Sequence, residues 1–185
     1  TMSFIDQMAP KPPETQDSDG TATETKGAGA TADTTQESDA QRREQQSFQS
    51  AAESLRQALQ DMPELAELSK NILVDQTPEG LRIQLVDQDG RPMFQQGTSD
   101  PMPYTKRLIA EIGKIIDRLP NRVSISGHTE ATPFSGPGGK TNWELSADRA
   151  NAGRALLAAG GLNGDRIYEV SGKAGSEPLL PEDPN

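Results

Sequence analysis

Large apolar side chains are nearly absent from residues 10–46 and then recur with two clear periods. Over residues 41–60, Phe48, Ala52, Leu55 and Leu59, with Met62 just beyond, step by threes and fours. That spacing gathers apolar groups on one helical face, either for packing onto the chain's own domain or for a coiled-coil contact with a second copy. Pro63 opens a short second helix carrying Leu65 and Leu68. Leu81-Arg82-Ile83-Gln84-Leu85-Val86 alternates strictly and predicts a strand, and Asp89-Gly90 predicts a hairpin turn into residues 91–94. Residues 103–119 form an amphipathic helix through Leu108, Ile112, Ile115, Ile116 and Leu119. A strand follows over residues 122–127. Residues 131–140, with two prolines and three glycines, form a loop. Next come a helix over 142–159 and a strand over 166–171. Thr141 and Glu144 make a capping box for that last helix, and Gly160-Gly161 stops it. The order predicts an α/β two-layer sandwich (β-α-β-α-β), a mixed sheet with helices on one face, preceded by a disordered linker and an N-terminal helix.

One residue breaks the pattern. At about 100° per residue, Leu145, Ala152, Leu156 and Ala159 share a stripe, Arg149 falls inside it and Asn142 lies at its edge. A guanidinium on a core-facing stripe requires an acidic partner, from the protein or from a ligand. The strand ending in Gly127-His128-Thr129-Glu130 brings Glu130 to the same rim as Arg149. An internal ion pair satisfies that arrangement. So does a ligand bearing both an ammonium and a carboxylate.

Gly127-His128-Thr129-Glu130 with Asn142, Leu145, Ser146, Arg149 and Ala150 resembles the peptidoglycan-binding motif of OmpA-like domains. The longer run adds Glu79-Gly80-Leu81-Arg82-Ile83, Arg91-Pro92-Met93-Phe94, Pro120-Asn121-Arg122 and Asn142-Trp143-Glu144-Leu145-Ser146-Ala147-Asp148-Arg149-Ala150-Asn151. Over residues 63–182 it is similar to the periplasmic domain of the flagellar stator family MotB. The resemblance implies non-catalytic binding of a diaminopimelate-containing peptide, with Arg149 on its carboxylate and Thr129, Glu130, Asn142 and Leu145 completing the pocket. It implies a homodimer, with a MotA-type stator subunit and the flagellar P-ring protein as partners. It also implies a periplasmic position, tethered to the inner membrane by an N-terminal helix outside this chain. Residues 1–5 are then expected to trail from that helix, and a plug remnant is expected over 1–9. An OmpA-like anchor of an outer-membrane protein or lipoprotein, or a wall-acting hydrolase, are the alternatives. Two departures stand out: Glu130 replaces the family's aspartate, and no Asn-Arg-Arg strand follows Pro181-Glu182-Asp183-Pro184. The domain is therefore expected to be C-terminally incomplete, with an edge left unpaired.

Composition divides the chain into an acidic disordered linker (1–40), linker helices (41–70) and a folded domain (71–185). Residues 1–40 hold eight acids against Lys11 and Lys26, a net −6 within the formal −10 of the whole. A sequence pI near 4.6 without a basic, aromatic strip argues against nucleic acid. A lone His128 and no cysteine give no metal-ligand set, and no Gly-x-Ser-x-Gly nucleophile occurs, so neither cofactor nor catalysis is expected. Trp143 is expected to be a packing anchor in preference to a sugar-stacking platform.

Overall fold

The computed structural model describes residues 2–5, 30–130 and 132–176. In chain order the elements are β1 (Met2–Ile5), α1 (Ala30–Asp61), α2 (Pro63–Ala66), a 3-10 turn (Glu67–Asn71), β2 (Ile72–Thr77), β3 (Gly80–Leu85), α3 (Pro103–Ile116), β4 (Val123–Gly127), α4 (Asn142–Ala159) and β5 (Ile167–Gly172). Short 3-10 turns at Pro137–Gly139 and Gly164–Arg166 fill the loops flanking α4. The five strands form one mixed sheet, ordered β2-β3-β1-β4-β5, parallel only between β4 and β5. Helices and sheet make the expected α/β sandwich.

Helix α3 realises its sequence pattern directly. Pro103 sets the first turn, where a missing N–H costs nothing. Leu108, Ile112, Ile115 and Ile116 are buried, with Leu119 just past the end. Each such side chain contributes about 1.5–3 kcal/mol on leaving water. Leu85, Ile125 and Leu157 close the core from the sheet and from α4. On α1 the buried residues are Phe48, Ala51, Leu55 and Leu59, packed into the core of the chain's own domain. Glycines bring α3 and α4 together: a Cβ on Gly113 would stand 2.9 Å from the Leu157 carbonyl, and one on Gly160 2.6 Å from that of Ala110.

Several expectations change. Residues 2–5 are a strand where the end of a helix was expected, and the rest of the plug remnant expected over 1–9 lies outside the described residues. Met2-Ser3-Phe4-Ile5 opens with an apolar–polar–apolar alternation and is far too short for an independent helix. Phe4 is in register with Ile83 and Ile125, and Ser3 with Gln84 and Ser126. The slot between β3 and β4 is therefore filled, with β1 paired on both sides, and among the described strands β2 and β5 are outermost. Helix α1 begins at Ala30, inside the stretch read as linker, because a helix already nucleated and packed extends at little further cost. The linker reading of residues 6–29, and Pro181-Glu182-Asp183-Pro184, lie outside the described residues.

The strand β2 was not expected. It pairs with β3 through a two-residue connection, with Thr77 opposite Gly80. Asp89-Gly90 does turn the chain, with Gly90 at φ 74°, yet it closes only an isolated bridge between Gln88 and Arg91. On α4 the buried residues are Leu145, Ser146, Arg149, Ala150, Gly153 and Leu157. The buried face is thus rotated from the expected stripe: Ala152 and Leu156 are half-buried, and Ala159 is exposed. Small residues face the sheet because α4 sits unusually close to it. A Cβ on Gly127 would stand 1.9 Å from the Ser146 carbonyl, and one on Gly172 2.6 Å from the Ala147 nitrogen.

Candidate functional site

Three segments converge where β4 ends. The first is the chain leaving β4, His128-Thr129-Glu130, with His128 and Gly127 buried. Its backbone is held by Thr129 N–H donating to Ala174 O (3.0 Å) and by Lys173 N–H donating to Gly127 O (2.9 Å). The second is the first two turns of α4. The capping box fixes its start: Thr141 N–H donates to Glu144 Oε2 (2.7 Å), and Trp143 N–H donates to Thr141 Oγ1 (3.3 Å). These bonds hold the exposed Glu144 carboxyl below its ordinary pKa, the Thr141 side chain first and the backbone next. The third is the loop over residues 94–100, whose Gly97 turns at φ 69°. Phe134 lies close against both Gly97 and Gly136, 3.1 Å and 2.6 Å from their would-be Cβ positions, and so ties this loop to residues 132–140.

Asn142 joins the first two segments. Its amide donates to the carbonyls of Glu130 (3.2 Å) and Thr132 (2.9 Å), clamping the loop onto the helix start. Leu145 is buried one turn further on. Thr129 Oγ1 is buried and has no hydrogen-bond partner, a deficit of about 1–3 kcal/mol for a hydroxyl taken out of water.

Arg149 occupies the centre. The residue is only 9% exposed. Its Nε donates to Thr98 O (3.0 Å), and its guanidinium carbon lies 5.1 Å from the centroid of the Phe94 ring. Burial pulls its pKa below the ordinary value, while Asp87 and then Glu130 pull it back through space. Among the described residues the terminal N–H groups of Arg149 make no hydrogen bond and no ion pair, so the internal Glu130 pair is not formed. Arg166 is the contrast. Its Nε and Nη2 donate to Asn121 O (2.9 and 2.7 Å), and its Nη1 donates to Ile116 O (2.8 Å), with Asp117 3.7 Å away. One arginine is consumed by the fold; the other keeps a planar donor edge in a site that already holds two carboxylates.

Residues 93–185, half of the chain, match the model of the OmpA family. The chain belongs to the OmpA family. It is 40% identical over 145 residues, 78% of its own length, to Motility protein B of Escherichia coli (strain K12), and spans 47% of that relative. The solved periplasmic domain of Helicobacter pylori MotB is 24% identical with a TM-score of 0.52, over 64% of this chain and 72% of that one. The cell wall anchor of the T6SS from Pseudomonas aeruginosa is 20% identical with a TM-score of 0.53, over 63% and 80%. Both structural likenesses speak to the fold.

In this OmpA-family chain, Thr129, Glu130, Asn142, Leu145 and Arg149 all stand at the junction of β4 and α4. Sequence reasoning missed Phe94, Thr98, Asp87 and Phe134. Thr98 acts through its carbonyl, which no side-chain pattern reveals. Asp87, just beyond the alternating run ending at Val86, carried a readable signal.

Proposed function

We propose that this domain binds peptidoglycan without altering it, gripping the diaminopimelate-containing peptide, and anchors a flagellar motor stator to the cell wall from the periplasm. The observation that carries the reading is Arg149: buried, oriented by Thr98 and Phe94, and left with terminal donors that nothing among the described residues uses. A carboxylate is the natural partner for that fork, bound by two parallel hydrogen bonds. Asp87 and Glu130 already act on Arg149, so a ligand bringing a carboxylate alone would meet repulsion. An amino-acid end brings an ammonium too, and Glu130 on the exposed rim receives it. The orphan Thr129 hydroxyl supplies one more directed contact. Likeness to Motility protein B favours a motor role over an outer-membrane anchor. In that setting dimerisation would raise modest per-site affinity by avidity, with a MotA-type subunit reached through a membrane helix of the longer protein.

Purified domain retained on cell-wall sacculi tests this. Hydrogen bonds to charged groups contribute about 1.5–3 kcal/mol, so Arg149→Ala should weaken retention by about one to two decades. A thermal melt checks that the variant is folded, and Arg149→Lys should recover only part of the binding, since an ammonium cannot present the fork. Undiminished retention by folded Arg149→Ala sinks the assignment. Release of soluble fragments from the sacculi would instead establish an enzyme.

A further inference from the structure

Among the described residues, Trp143 is the large apolar side chain left exposed, at 58%. The expectation that it anchors packing therefore fails. An indole that could bury 150–250 Å² in a core or interface is instead held out to solvent. Its backbone is fixed. The Trp143 main-chain N–H donates to Thr141 Oγ1 (3.3 Å), and its carbonyl accepts from Ser146 Oγ (2.9 Å), so the ring projects from a point held on both sides.

We infer that Trp143 is a saccharide subsite, stacking its indole on a sugar ring of the glycan strand whose peptide occupies the Arg149 pocket. This rests on the peptidoglycan reading. Helix geometry supplies the placement: Asn142 and Arg149, seven residues apart, fall within about 20° of each other on α4. Trp143 lies about 100° around from Asn142 and, relative to Arg149, about 120° around and about 9 Å along the axis, a distance that three extended peptide residues span. A peptide seated in the pocket therefore has the reach to carry its sugar to the ring. The charges flanking the ring are already engaged, Lys140 with Asp148 (2.6 Å) and Glu144 with the Thr141 backbone (2.7 Å). What remains is an exposed apolar plane whose neighbours in sequence already have partners, suited to the C–H face of an uncharged ring. A folded protein partner would need about 1,000 Å² of matched surface, and a single exposed ring does not provide it.

Trp143 is the chain's only tryptophan, so its fluorescence reports on this position alone. Three probes separate the contributions: the N-acetylglucosamine–N-acetylmuramic acid disaccharide carrying a diaminopimelate tripeptide, the free tripeptide, and the free disaccharide. The sugar-bearing muropeptide should shift the emission to the blue, and the tripeptide alone should not. By calorimetry Trp143→Ala should weaken muropeptide binding about three- to tenfold and leave tripeptide binding unchanged, with Trp143→Phe between. The subsite is overturned if Trp143→Ala binds muropeptide as tightly as the parent, or if it loses tripeptide and muropeptide equally. If the parent binds neither muropeptide nor tripeptide, the peptidoglycan reading itself fails.

Discussion

Gly127→Ala should damage fold and site together, because Gly127 lies at the contact that brings the two halves of the pocket into one place. Its would-be Cβ is 1.9 Å from the Ser146 carbonyl oxygen, 2.9 Å from the Ser146 carbonyl carbon and 3.0 Å from the Ala150 nitrogen. All three are backbone atoms, so no rotamer change relieves the clash, and α4 must retreat by at least about 1 Å to restore an ordinary contact. Overpacking a close core contact costs about 1–3 kcal/mol, and the rigid obstacle puts this case near 3. For a folded part of this size that lowers the melting temperature by about 10 °C. The same retreat carries Asn142 and Arg149 away from Thr129 and Glu130, so sacculus retention should fall about tenfold or more even where the variant is fully folded. Gly164→Ala is the control: nothing lies within 4 Å of its would-be Cβ, and its effect should stay within about 0.5 kcal/mol. Gly127→Ala melting within about 2 °C of the parent, with full retention, would refute the close approach of α4 to β4.

Asn142→Ala removes both bonds that hold the Glu130 and Thr132 carbonyls. It should reduce sacculus binding several-fold while moving the melting temperature by no more than a few degrees; a large melting change with intact binding contradicts the clamp. Thr141→Ala should cost about 1 kcal/mol by chemical denaturation, through loss of the α4 cap. Glu144 titrates below its ordinary 4.5 in the folded state, so its contribution is present above that value and is lost as pH falls through the folded-state pKa. The melting difference between parent and Glu144→Gln should therefore be widest near neutrality and close in acid, and a gap independent of pH would exclude the charged cap.

Why some elements were legible and others not has a physical basis. Helix α3 was readable because its core side is built from large branched side chains at helical spacing, and those residues are the buried ones. Helix α4 was misjudged because half of its buried positions are Ser146, Ala150 and Gly153, residues that carry little hydrophobic signal. What buries Ser146 and Ala150 is the absence of side chains on Gly127 and Gly172, a property of the facing strands and not of the helix. Strand β2 was hidden for a related reason: Ile72-Leu73-Val74 does not alternate, and the Pro78-Glu79 connection lacks a strong hairpin dipeptide, whereas Asp89-Gly90 has one and turns without building a hairpin. Of the site, the side chains on α4 and on the chain leaving β4 were within reach of sequence reasoning. Thr98, which contributes a carbonyl from a loop, was not.

The departure at Glu130 can now be located. Asn142 holds the Glu130 carbonyl, a group that any residue at this position presents, so the clamp between loop and helix does not depend on which acid stands there. The Glu130 carboxylate reaches Arg149 only through space, and after Asp87. An extra methylene therefore leaves the scaffold intact and changes only how far the acid extends over the pocket mouth. That separation matters because Arg149 depends on burial, Thr98 and Phe94 for its aim, none of which involves Glu130. Under the proposed function, recognition of a ligand's carboxylate would thus be insulated from variation at the rim, and Glu130 would act on the ligand's ammonium end.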